Sequence, residues 1–202
     1  MLDADLSDRA DAILSLARAA FVEKGFEGAS MQDLARAAGM SAGNFYRYFP
    51  SKAALVDALI ARDLLEIEEQ FQRILTSPDP LATLKAALRE RLAAEDCQAE
   101  GPLWAEIVAA SARRPEVAAA LRRVEDGVVR RVAEVLAVVH GVPTHRAEAR
   151  FGTHGRLIFL IMQSAMISVE AEQPQDADLT GLILRTIDRL VDDALLETQD
   201  FS

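Results

Sequence analysis

Apolar residues recur every three or four positions along nearly the whole chain, and no run alternates residue by residue long enough to make a strand. The pattern predicts an all-α protein of about nine helices. A first helix over 7–24 would bury Ile13, Leu16, Ala17, Ala20 and Phe21 and end at Gly25. Two short helices follow, 31–38 and 42–48, and then a long one over 52–75 with Val56, Ile60, Ile67, Phe71 and Ile74 along one side. After the punctuation TSPDP, further helices are expected over 81–96, 103–112, 115–139, 145–170 and 178–197, with breaks at QAEGP, at HGVP and near Pro174. The helix over 145–170 is apolar along two lines. Phe151, Ile158, Met162, Ala165 and Val169 make one, and Leu157, Ile161, Ser164 and Ser168 the other, so it must be covered on two faces.

The two short helices carry the most local information. Ser30 and Asp33 have the spacing of a capping box, and Asp33 adds negative charge at a helix start. Gly39 suits the left-handed residue that ends a helix. Ser41 can cap the next helix, AGNFYRY, which Pro50 stops by disfavouring helical geometry in the residue before it. Helix, Gly turn and short helix make a helix-turn-helix unit, whose second helix enters the major groove of double-stranded DNA. Phe45 and Phe49 lie one turn apart and face inward. Ala42 and Gly43 allow close approach, and Asn44, Tyr46, Arg47 and Tyr48 are left to meet nucleic acid.

The string FVEKGFEGASMQDLARAAGMSAGNFYRYFPSKAALVDAL, with its glycine after the first helix, Gly turn, aromatic second helix and Phe-Pro-Ser-Lys exit, resembles the DNA-binding domain of the TetR family of bacterial transcriptional regulators. The resemblance covers the first quarter to third of the chain. It implies that Tyr46 and Lys52 hold phosphates, a task to which the Ser41 hydroxyl can add. Asn44 and Arg47 can pair bidentately with adenine and guanine and are expected to read bases, helped by Gln32. The family's commoner pattern has Thr or Ser near Asn44 and His or Trp near Arg47, so this chain departs from it there. The resemblance also implies a helical body that dimerises through its C-terminal helices, holds a small-molecule inducer, and releases a palindromic operator when that inducer binds. Residues 1–52 are thus expected to form the DNA-binding domain and 53–202 the ligand-binding and dimerisation domain.

Within that body, Cys97, Trp104, His154, Phe159, Met162 and Gln163 are the candidate pocket residues: an apolar cavity with a few polar groups is the usual form of a small-molecule site. Phe151, Gly155, Ile158, Met162 and Ala165, with Leu182, Ile183, Ile187 and Leu190, are the candidate dimer interface, two helices from each subunit making four.

The net charge of −10 looks wrong for a DNA-binding protein until it is divided by region. Six cations against seven acids leave residues 1–52 at −1, and the other −9 falls on the remainder. A near-neutral head on an acidic body limits nonspecific adhesion without forbidding binding through a few placed cations, and it argues against an anionic membrane as partner. The arginine pairs 113/114, 122/123 and 130/131 are interleaved with acids and read as a solvated helix face. The acidic opening MLDADLSDRA has no apolar signal core, and the longest apolar run is interrupted by Gln163 and Ser164, so a cytoplasmic location is expected. A lone cysteine and three histidines without zinc spacing offer no metal site. No phosphate-binding Gly loop or nucleophile elbow is present, so neither a cofactor nor enzymatic activity is expected. His140, at a helix C-terminus, reads as a favourable dipole contact. A helical dimeric adaptor that binds protein rather than DNA is the alternative, and the polar set Asn44, Tyr46, Arg47, Tyr48 and Lys52 argues against it.

Overall fold

The computed structural model describes residues 2–167 and 177–196, with side chains over 11–94, 101–167 and 178–194. Among these residues there are nine α-helices and no strand: α1 (Leu2–Lys24), α2 (Met31–Ala37), α3 (Ala42–Tyr48), α4 (Lys52–Leu75), α5 (Pro80–Ala93), α6 (Glu95–Ser111), α7 (Pro115–Val139), α8 (Ala147–Ile167) and α9 (Ala177–Leu196). The all-α expectation holds, and α4 and α7 occupy the spans their periodicity predicts. No described helix is long and apolar enough to cross a membrane.

Helix α1 begins at Leu2, ahead of the expected start at residue 7, and three further boundaries differ, each for a local reason. Asp79 caps α5 through the Ala82 N–H at 2.9 Å with Pro80 in the first turn, so α5 starts as punctuated. It ends early, at Ala93, because Ala94 turns extended. The QAEGP stretch is not a break: α6 runs straight through Gly101 and Pro102. An interior proline costs about 3 kcal/mol, and the burial of Leu103, Ile107 and Ala110 just beyond it offsets that cost. Gly101 is also needed where it stands, since a Cβ there would lie 2.5 Å from the Met166 carbonyl oxygen. Helix α8 starts at Ala147 rather than at 145, behind a single 3-10 turn over Thr144–Arg146. Continuation of α8 toward Glu170, and with it Ser168 and Val169, lies outside the described residues.

The chain forms two compact units, and their limits are not at residue 52. Unit 1 comprises Met1–Leu65 and Pro102–Arg123, and unit 2 comprises Glu66–Gly101 and Val124–Ser202. All three chain crossings fall inside helices α4, α6 and α7. The head therefore contains the first half of α4, the second half of α6 and the start of α7.

Unit 1 is built on Phe21, Phe26, Leu34, Phe45, Leu55 and Ile60, all buried. In unit 2, Phe71, Ile74, Leu84 and Leu92 pack with Val132, Val135 and Leu136 of α7, Phe151, Ile158 and Met162 of α8, and Ile187, Val191 and Ala194 of α9. Ion pairs tie its surface: Lys85 to Asp192 at 2.8 Å, Arg89 to Asp188 at 2.6 Å, and Arg131 to Glu68 and Glu134. The Gln72 amide, then Arg131, holds the Glu68 carboxyl below the usual carboxylate range. One arginine of each expected solvated pair is thus engaged: Arg114 with Glu27, Arg123 with Asp57 and Arg131 as above.

Candidate nucleic-acid interface

The interface is assembled from short-range chemistry. The Ser30 hydroxyl accepts the Asp33 N–H at 3.1 Å, and the Asp33 carboxylate accepts the Ser30 N–H at 3.1 Å, completing the capping box at the start of α2. Lys24 reaches the same carboxylate at 2.8 Å. Hydrogen bonds from Lys24 and then Ser30 hold Asp33 far below the ordinary carboxylate range. Gly39 takes φ +65°, so the chain reverses without strain into Ser41. The Ser41 hydroxyl accepts the Asn44 N–H at 3.3 Å and opens α3.

Helix α3 is seated by Phe45 and Phe49, both buried, with ring centroids 5.3 Å apart. At about 100° per residue, Arg47 projects opposite that buried pair, Gly43 and Asn44 lie to either side of Arg47, and Tyr46 and Tyr48 flank this face on opposite edges. Tyr46, Arg47 and Tyr48 are exposed, Asn44 is half-buried, and a Cβ added to Gly43 would meet nothing within 4 Å. Gln32 on α2 is also exposed. Ala42 lies nearer the seated side and is half-buried.

Lys52 is placed differently from a free surface cation. Its ammonium donates to the carbonyls of Phe26 at 2.8 Å and Glu27 at 3.0 Å and stands 5.5 Å from the centre of the Phe26 ring. The turn between α1 and α2 is gripped from elsewhere too. The Phe26 N–H donates to Glu106 of α6, the Glu27 N–H donates to the same carboxylate oxygen at 3.3 Å, and Arg114 pairs with Glu27 while covering the Phe26 ring. Sequence reasoning missed Glu106 and Arg114, because each lies about 80 residues or more from the turn it holds and no local spacing signals the contact.

The residues expected to line a ligand pocket are divided between the two units. Trp104 belongs to unit 1, beside a recess walled by Arg18, Val56, Leu59, Ile60, Asp63, Leu103 and Ile107 that has room for about one water. His154, Phe159, Met162 and Gln163 all lie on α8 in unit 2, yet Met162 is core, and nine residues of helix place His154 and Gln163 on opposite sides. The Cys97 side chain lies outside those described.

The expected dimer interface needs a correction of face. Phe151, Gly155, Ile158, Met162 and Ile187 are buried within the single chain, and a Cβ on Gly155 would lie 2.9 Å from the Val129 carbonyl oxygen of α7. Ala165, Ile183 and Leu190 are half-buried against the same core, leaving only Leu182 of the nine exposed. The inward line of α8 is the one first assigned to the interface, since α5, α7 and α9 take it. His140 also differs from expectation: its ring stacks on Phe151 at 5.1 Å. Burial first, then Arg150, lowers its pKa, so the neutral ring rather than a cation at the helix end is favoured.

Comparison with known proteins agrees with this geometry. Residues 13–59 match the family model described as bacterial regulatory proteins, tetR family. The HTH-type transcriptional repressor KstR2 of Rhodococcus jostii (strain RHA1) is 33% identical over 81 residues, which is 40% of this chain and 40% of that protein. The HTH-type transcriptional regulator UidR of Escherichia coli (strain K12) is 27% identical over 164 residues, covering 79% of this chain and 81% of the relative. Salmonella enterica GusR has the same fold, with a TM-score of 0.70 at 23% identity over 92% of this chain and 96% of that one. The match to the tetR family thus covers the helix-turn-helix segment, and the chain as a whole shares the fold of GusR. These named relatives are transcriptional regulators rather than enzymes.

Proposed function

We propose that the chain is a cytoplasmic repressor that binds a palindromic operator as a homodimer and leaves it when a small molecule binds unit 2. The observation that carries the DNA-reading part is the outward face of α3. Asn44 and Arg47 occupy its middle, where a helix in the major groove meets base edges, and Tyr46 and Tyr48 stand on either edge, where the two phosphate backbones run. Gln32 adds a second reading side chain from α2. Ser41 supports this face as an exposed cap whose hydroxyl accepts the Asn44 N–H and retains its own hydrogen to donate, and Lys52 contributes positive charge at the start of α4.

Dimerisation is supported by four large apolar side chains that one chain leaves uncovered: Leu157 and Leu160 on α8 and Leu179 and Leu182 on α9, at 42, 47, 53 and 53% exposure. Their spacings of three put each pair on one helix face, and α8 packs on α9 in the same unit. Two such faces from each of two chains complete a four-helix seam. For the inducer, Phe159 and Gln163 give a half-buried aromatic and an amide one turn apart on α8. A ligand there acts on the head through the helices that run uninterrupted from one unit into the other, and only by preferring one head spacing over another.

The test is selection from a random duplex pool, followed by titration of every single-base variant of the recovered site. A two-fold symmetric site is expected, and Arg47→Ala should cost about 1–3 kcal/mol per half-site against one preferred base pair. Recovery of no preferred sequence, or uniform weakening across all variants, would remove the base-reading role.

A further inference from the structure

We infer that Glu106 is a positioning residue for DNA binding: its carboxylate, carried on α6, holds the α1–α2 turn and so sets where the helix-turn-helix unit stands. The inference rests on the DNA-reading assignment of α3. Residues 25–29 are the covalent link from α1 to α2, so any displacement of that turn is passed to Ser30, where α2 begins. One Glu106 oxygen accepts both the Phe26 and Glu27 amides. Opposite them, the carbonyls of the same two residues are taken by Lys52. Both polar faces of one dipeptide are therefore held by ions from two different helices, and the buried Phe26 ring has the Lys52 and Arg114 cations 5.5 and 5.6 Å from its centre.

Gly25 fits this arrangement on two counts. It takes φ +75°, which favours glycine, and a Cβ there would lie 2.6 Å from the second Glu106 oxygen. The carboxylate thus occupies space that any other residue at 25 would fill. Glu106 comes 80 positions after Phe26 and belongs to no part of the matched family segment, 13–59. Its neighbours Leu103 and Ile107 anchor the same stretch of α6 among buried residues, while Glu106 makes the polar contact. Helix α6 is continuous from Glu95 in unit 2 to Ser111 in unit 1, so the residue that holds the turn rides on an element shared by both units.

The experiment uses the full chain and a duplex that the wild-type protein selects from a random pool. Glu106→Ala is expected to bind that duplex about tenfold more weakly, the loss of roughly one charge-assisted hydrogen bond, with binding to a scrambled duplex within about twofold of wild type. Glu106→Gln keeps one side-chain oxygen able to accept an amide and is expected to recover most of the loss. Hydrogen exchange at the Phe26 and Glu27 amides should be slow in wild type, fast in the Ala variant and intermediate in the Gln variant. The inference is overturned if Glu106→Ala binds the selected duplex as wild type does, or if those two amides exchange equally in all three proteins. It is also overturned if affinity falls only in step with the melting temperature and Gln rescues neither. A wild-type chain that selects no sequence would instead remove the DNA reading, and the exchange measurement would still decide whether Glu106 holds the turn.

Discussion

Both units bury an apolar core, and they differ in the polar contacts added to it. Unit 2 is a conventional apolar core, long helices burying Phe71, Leu136, Phe151, Ile158 and Ile187, with ion pairs such as Lys85–Asp192 on its surface. Unit 1 contains two seven-residue helices, too short to be stable alone, and to its buried Phe21, Phe26, Leu34, Phe45, Leu55 and Ile60 it adds polar contacts at chain ends and turns: the Ser30–Asp33 box, Ser41 on Asn44, Lys52 on the Phe26 and Glu27 carbonyls, and Glu106 on their amides. Short helices expose a large share of orphan backbone groups, and side chains satisfy them. A reading head gains from this, because hydrogen bonds fix direction as well as proximity, and base pairing needs side chains placed to fractions of an ångström.

Substitutions can separate the two regimes, and the largest effect is expected inside unit 2. Ile158 is 1% exposed, so Ile158→Glu buries an unpaired charge and should cost roughly 3–5 kcal/mol, read as a lowered thermal midpoint. Its neighbour Leu157 faces outward, and Leu157→Glu should leave the melt nearly unchanged while converting dimers to monomers in sedimentation. If Ile158→Glu gave a stable monomer and Leu157→Glu a stable dimer, the assignment of the two faces of α8 would be reversed.

In unit 1 the expected effects are smaller and of a different kind. Arg47→Ala, as above, should alter base preference with no change in melting. Lys52→Ala should do the opposite: about 1–2 kcal/mol from freeing the Phe26 and Glu27 carbonyls, with weaker binding to all duplexes alike and a lower salt slope. A Lys52→Ala variant with unchanged amide exchange through residues 25–29 would show that the turn does not need it.

The smallest effects are in pH dependence, and they fall in separate windows. His140 has a folded pKa below its ordinary 6.5, so its contribution to unit 2 is fully present above about pH 6.5 and is lost as pH falls through the lower folded value. Asp33 is depressed below its ordinary 3.8, so its contribution to unit 1 persists down through pH 4 and is lost only in stronger acid. Hydrogen exchange followed from pH 7 to 5 should therefore loosen α7 and α8 slightly while the α2 start stays protected, and His140→Gln should flatten that response. Loosening of α2 before α8 would contradict both assignments.

Local chemistry is legible in the sequence itself. Ser30, Asp33, Gly39, Ser41, Phe45, Phe49 and Pro50 act within three or four residues of themselves, so caps, turns and the seat of α3 follow from their spacing, as do the periodic spans of α4 and α7. What only the tertiary structure decided were choices between equivalent options and contacts between distant residues. Helix α8 has two apolar lines, and its own sequence does not say which will meet α5, α7 and α9. The packing of Gly155 on Val129 and of His140 on Phe151 settled that Phe151 and Ile158 go inward and Leu157 outward. By sequence Trp104 is a pocket candidate as an aromatic among a few polar groups; the burial of Leu103, Ile107 and Ala110 beyond Pro102 carried α6 through the proline and put Trp104 in unit 1. Glu106 read as one acid among thirty-two, and only folding, which brings residues 80 apart within hydrogen-bonding distance, gave its carboxylate two backbone amides to hold.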